Sequence, residues 1–179
     1  MTSDGMTELD DDQSLEEIRN LAKDLVQHVT GIRKSAADDR GWVVVAVESA
    51  SHFDESDAES LTRALRSAGV DEMVGVPTET LESEPAGLRI PATCEGLREF
   101  SHRCGHFNYF LSPPGGSFAV LCTVEDHFLI TGAPEIVQVA LGKGIAEAWS
   151  DFLEFAQDPD WSEEERGRLA SVAEFYRSP

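Results

Sequence analysis

FNYFLSPPGGSFAVLCTVEDHFLITG, residues 107–132, decides the fold. It holds three short apolar runs, 107–111, 118–124 and 127–131. Ser112-Pro113-Pro114-Gly115-Gly116-Ser117 separates the first two, and Glu125-Asp126 the last two. Runs of strand length bounded by Pro, Gly and Asp predict an antiparallel meander. Pro113 to Gly116 then reads as a hairpin loop rather than a polyproline recognition element. Helical periodicities flank the meander, and their apolar stripes need a sheet to cover. The expectation is one α+β domain. It has a mixed or antiparallel sheet of about five strands, a C-terminal three-stranded meander within it, and helices packed on it.

Toward the N-terminus, Thr93 caps a predicted helix running to Cys104, with Leu97, Phe100 and Cys104 inward and Gly105 as terminator. Residues 77–92 carry three prolines and two acidic stretches, and read as a loop. Residues 73–76 predict a short strand. Asp54 is a good N-cap, with Ala58, Leu61, Leu65 and Ala68 on one helix face and Gly69 as the stop. Residues 42–47, WVVVAV, form the longest apolar run and are mostly β-branched. They predict a strand covered on both faces, hence central in the sheet. Ser14 and Glu17 have capping-box spacing, and Leu15, Ile18, Ala22, Leu25, Val29 and Ile32 form one helical stripe. Residues 1–12 contain five acids and no base, and read as a disordered acidic leader, leaving residues 13–179 as the domain.

After the meander, Pro134 suits a first helical position, and Gly142-Lys143-Gly144 breaks that helix. Ile145, Trp149, Phe152, Leu153 and Ala156 make a further stripe. A turn at Asp158-Pro159-Asp160 leads to a second capping box, Ser162 with Glu165, and a last amphipathic helix. Trp161, beside Pro159, is expected to be partly exposed.

Fourteen bases face thirty-four acids in 179 residues, a formal net charge of −20. That argues against nucleic acid, which requires a basic face, and against an anionic membrane surface. The acidity has two readings: a solvated surface, which the scarcity of Lys favours, or a face that steers a basic partner. Three cysteines, Cys94, Cys104 and Cys122, make no disulfide framework. With no secretory signal and no apolar run of membrane length, the expected location is a reducing cytoplasm.

Four groupings could carry chemistry. Cys94, His102, Cys104 and His106 gather thiols and imidazoles within thirteen residues. Their C-x7-H-x-C-x-H spacing is not that of paired zinc ligands, so no metal or cofactor is expected. Cys94, in a predicted first helical turn, is the best single nucleophile candidate, because the helix dipole there favours a thiolate. Cys122 lies mid-strand and reads as core. Glu48, His52 and Asp54 follow a buried strand, where acid–base sites form; the simpler reading makes Asp54 a cap, His52 solvated and Glu48 a strand-end charge. Glu55, Asp57, Glu59, Glu79, Glu82 and Glu84 supply two acidic segments able to meet a basic protein partner.

The leading expectation is therefore a non-enzymatic acidic protein-binding module. The profile is similar to that of small bacterial accessory proteins, including immunity proteins that neutralise a toxin; this is a likeness of profile and rests on no motif. The alternative is a small thiol- or His/carboxylate-dependent enzyme using Cys94 or the Glu48/His52/Asp54 region. A third is a homo-oligomer formed through an open sheet edge.

Overall fold

Residues 107–132 form the antiparallel meander, which supplies the fourth to sixth strands across a seven-stranded sheet. The computed structural model describes residues 5–10, 13–50, 52–79 and 85–177. In chain order the elements are β1 (Thr7–Leu9), α1 (Gln13–Leu25), β2 (Val26–Gln27), β3 (Gly31–Ile32), α2 (Lys34–Asp38), β4 (Val43–Glu48), α3 (Glu55–Ser67) and β5 (Glu72–Pro77). Then come β6 (Gly87–Pro91), α4 (Cys94–Cys104), β7 (Tyr109–Ser112), β8 (Phe118–Cys122), β9 (His127–Gly132), α5 (Pro134–Leu141), α6 (Ile145–Ala156) and α7 (Glu163–Arg177). This is the expected α+β domain with helices packed on the sheet, but with seven strands rather than about five.

The strand order is β1-β6-β5-β7-β8-β9-β4, and each pairing is antiparallel. Every residue of β7, β8 and β9 is buried. Successive residues of a strand point to opposite faces, and both faces are covered. Phe100 of α4 meets Tyr109 on one face, and Phe152 of α6 meets His127 on the other.

Several expectations are corrected. Residues 42–47 were expected at the centre, yet among the described residues β4 is an edge strand paired only with β9. Its apolar run is explained by helices: α6 packs on it most extensively, and α2, α5 and α7 also adjoin it. A continuous apolar run reports covered faces, not the number of strand neighbours. Residues 77–92 are not all loop, because Leu88 and Ile90 of β6 are buried against β5. Part of the presumed leader is strand: Thr7–Leu9 pairs with β6, and Met6 and Leu9 are buried. The first helix already includes Gln13, so Ser14 lies inside it, and it stops at Leu25 rather than reaching Ile32. A two-stranded hairpin, β2 with β3, follows, with His28 and Val29 at φ of 53° and 63°.

Four antiparallel steps separate β4 from β5, so these strands run the same way. Their C-terminal ends, Glu48 and Pro77, therefore share one end of the sheet. The candidate site is built at that end, beside β4.

Candidate functional site: an acidic cleft beside the edge strand

Glu48 ends β4, and a tight turn carries the chain into α3. His52 holds that turn with a φ of 62°. The Ser49 hydroxyl donates to the His52 carbonyl, and Phe53 N–H donates to Ser101 Oγ at 2.9 Å. The His52 ring is buried and stacked on Phe100 with centroids 5.5 Å apart. Its Nε2 lies 2.9 Å from the Cys104 carbonyl. A carbonyl only accepts, so Nε2 carries the proton. Burial lowers the His52 pKa, which keeps the ring neutral. His52 is therefore an interior brace rather than the solvated group expected.

The brace places Asp54 as the cap of α3. Asp57 N–H donates to Asp54 Oδ1 at 2.8 Å, and Asp54 N–H donates to Asp57 Oδ2 at 3.2 Å. This reciprocal box satisfies two orphan donors of the helix. Burial pushes the Asp57 carboxyl from an ordinary 3.8 to about 7, and the charges of Asp54 and Glu48 add to the rise while the Asp54 N–H opposes it.

The facing wall comes from α6 and the turn after it. Asp151, Glu154 and Asp158 line it with Phe152 and Phe155. Trp161 Nε1–H donates to the Phe155 carbonyl at 3.1 Å, and the two rings meet edge to face at 5.4 Å. Trp161 is half-buried, in keeping with the sequence expectation. Between the walls lies a cavity of about 500 Å³. A second hollow of about 430 Å³ adjoins it, sharing Glu48, Asp54, Asp57 and Phe155 and adding Asp126 and Trp161. Glu48, Asp54, Asp57, Asp151, Glu154 and Asp158 thus give the main cavity six carboxylates. Its described lining has one base, Lys143, which donates to Asp151 at 2.6 Å.

The expected site residues are only partly brought together. Glu48, Asp54 and Asp57 share the cleft. Glu55 and Glu59 lie on the outer side of α3, and exposed Glu55 stands 3.7 Å from Arg98. Glu79 follows β5 and accepts from Asn108 Nδ2 at 3.4 Å. It lies at the same end of the sheet as Glu48 but four strand spacings away, about 19 Å. Glu82 and Glu84 lie outside the described residues.

Cys94 is half-buried at the start of α4, where Thr93 Oγ1 accepts from Gly96 N–H at 3.0 Å. Cys104 is at the other end of that eleven-residue helix, about 15 Å away at 1.5 Å per residue. Since His52 sits at the Cys104 carbonyl, Cys94 and His52 are not brought together. His102 and His106 are exposed while Cys104 is buried, so the three do not converge. Among the described residues, no group of three or more His, Cys, Asp or Glu is arranged to hold a metal ion. All three thiols are free, and burial raises the Cys122 pKa well above its ordinary value. Among the described residues, no helix is long and apolar enough to cross a membrane.

The α6 wall escaped the sequence reading, although Asp151, Glu154 and Asp158 recur at spacings of three and four, the signature of one helix face. His127 was also missed. It is buried, pairs with Glu48 in the ladder, and places Nδ1 2.9 Å from the Glu125 carbonyl, while Nε2 has no partner among the described residues. Only its place in an apolar run could have marked it.

No known protein family, no curated protein and no solved structure matches this chain.

Proposed function

We propose that this is a non-enzymatic binding protein whose acidic cleft takes a cationic side chain from a basic protein partner. One observation carries the reading: six carboxylates surround a half-enclosed cavity against a single ammonium, and Asp57 is pushed to about 7 by its setting. Such an imbalance is relieved by an incoming cation. Phe155 and Trp161 add aromatic rings, whose faces suit a guanidinium or ammonium. An immunity or inhibitor role, in which the partner is a basic toxin or enzyme, is one concrete form of this reading. Enzymatic use of Cys94 or His52 has less support, since the two stand apart and His52 is buried.

The test is calorimetric titration with a tetra-arginine peptide. Two double variants remove the same net charge: Glu48→Gln/Glu154→Gln inside the cleft, and Glu55→Gln/Glu59→Gln on the outer face of α3. Cleft binding predicts that the first pair weakens the peptide by about tenfold while the second shifts it by less than about threefold. Equal losses would mean diffuse attraction to an acidic surface, and would remove the cleft as the site.

A further inference from the structure

A second cavity, about 590 Å³, lies beside the N-terminal half of β4. Its character is opposite to that of the acidic cleft. Trp42, Trp149 and Tyr176 supply aromatic surface, and Val43, Val44, Ile145 and Ala146 fill in between.

The aromatic groups are held in place. The Arg40 guanidinium stands 5.8 Å above the Trp42 ring, and buried Trp149 meets Phe152 edge to face at 6.0 Å. The Tyr176 hydroxyl accepts from Ile32 N–H at 2.7 Å and donates to the Ile32 carbonyl at 3.0 Å. With both hydroxyl roles occupied, the ring is what Tyr176 offers the cavity.

The strand edge adds a polar handle. Ser49 N–H donates to the Asp126 carbonyl at 3.0 Å, one step beyond the Glu48–His127 pair. Antiparallel pairs alternate between bonded and non-bonded, so Val43, Val45 and Val47 exchange bonds with β9. Trp42, Val44, Ala46 and Glu48 then direct N–H and C=O away from the sheet. Trp42 N–H donates to the Ala37 carbonyl at 2.9 Å. Val44 comes next along the edge, and its N–H and C=O are directed the same way.

The charges differ from the rest of the molecule as well. Among the described lining residues, Lys34 and Arg177 face one carboxylate, Asp38, which is 2.8 Å from Lys34. An ammonium has three donors and can serve Asp38 and a ligand together. The net charge of −20 opposes an anion at long range, but at physiological salt its reach is about 8 Å.

We infer that this cavity binds a small planar aromatic anion, with its ring against Trp42 and Trp149 and its carboxylate at Lys34 and Arg177. Pockets of this size, lined by aromatic side chains with a few convergent polar groups, suit ligands of that class.

The test is calorimetric titration of the whole chain with 2-naphthoate, and with neutral 2-naphthamide as control. Saturable one-to-one binding is expected for 2-naphthoate, and weaker binding for the amide. Lys34→Gln/Arg177→Gln should weaken naphthoate by about tenfold and leave the amide unchanged. Ala146→Phe, at an exposed position on the cavity wall, should abolish binding of both without lowering the melting temperature. Glu48→Gln/Glu154→Gln should change neither. No saturable binding at millimolar naphthoate, or binding indifferent to either cavity variant, would overturn the inference.

Discussion

Asp57 sits where two demands conflict. Its carboxylate closes the capping box with Asp54, yet burial and the charges of Asp54 and Glu48 make that carboxylate hard to ionise, so it titrates at about 7. The folded value lies above the unfolded one, so this group's contribution to stability is full below about pH 4 and is lost as pH rises through about 7. Asn keeps an oxygen for the capping bonds without the charge. Asp57→Asn should therefore be about 1 kcal/mol more stable than the parent at about pH 8, and indistinguishable from it at about pH 4. Thermal melting across that range checks it, and a variant that melts lower than the parent at about pH 8 would refute the account of this residue. His52 and His127 act with the opposite sign. Burial lowers both pKa values, so their contribution is lost as pH falls below about 6.5. Ligand binding should follow Asp57. A cation prefers the ionised carboxylate, so affinity for tetra-arginine should drop as pH falls from about 8 to about 6 in the parent, and stay level in Asp57→Asn. A level profile in the parent would detach Asp57 from the binding site.

Local chemistry makes some elements legible in the sequence itself. Thr93 does cap α4, and Ser162 with Glu165 forms a reciprocal box, with N–H to oxygen distances of 2.9 and 3.2 Å. Pro134 opens α5, and Gly115 and Gly116 turn the β7–β8 hairpin at φ of 87° and 62°. The misses have a common cause: the pattern that was read reports burial, which more than one architecture satisfies. The stripe from Leu15 to Ile32 continues across a hairpin because Leu25 and Ile32 are both buried, one on a helix and one on a strand. In the same way, β4 looked central because helices cover its faces. β1 has three residues and β6 begins and ends among prolines and glycine, too little for alternation to stand out. Gly96 tests the packing of α4 on β6. On an exposed helix, Gly→Ala stabilises by about 1 kcal/mol. Here a Cβ at Gly96 would stand 2.5 Å from the Pro91 carbonyl oxygen, a backbone atom. Gly96→Ala should instead destabilise by about 1–3 kcal/mol in denaturant titration. A stabilised variant would contradict this docking.

For the whole molecule, the placement of charge matters more than its total. The described acids of the two expected partner-binding segments divide among the cleft, the outer face of α3 and the far side of the sheet end, while the facing wall comes from α6, over ninety residues later in the chain than α3's first turn. That convergence depends on the tertiary path around the β4 edge, which no local pattern encodes. Sheet edges also bear on self-association. β1 is three residues long, and at the start of the β4 edge Trp42 N–H is already bonded to the Ala37 carbonyl, which shortens both edges. Sedimentation is expected to show one species from micromolar to millimolar concentration, and a concentration-dependent rise in mass would restore edge pairing as a mode of assembly. The most direct measurement of the central claim is amide shift mapping by NMR, with tetra-arginine added to isotope-labelled protein. The cleft account predicts that Glu48, Asp54, Asp57 and Glu154 amides and the Trp161 indole move together along one saturable curve, while Glu55, Glu59 and Glu79 stay nearly still. Shifts spread over all exposed acids, without saturation and without the Trp161 signal, would contradict it.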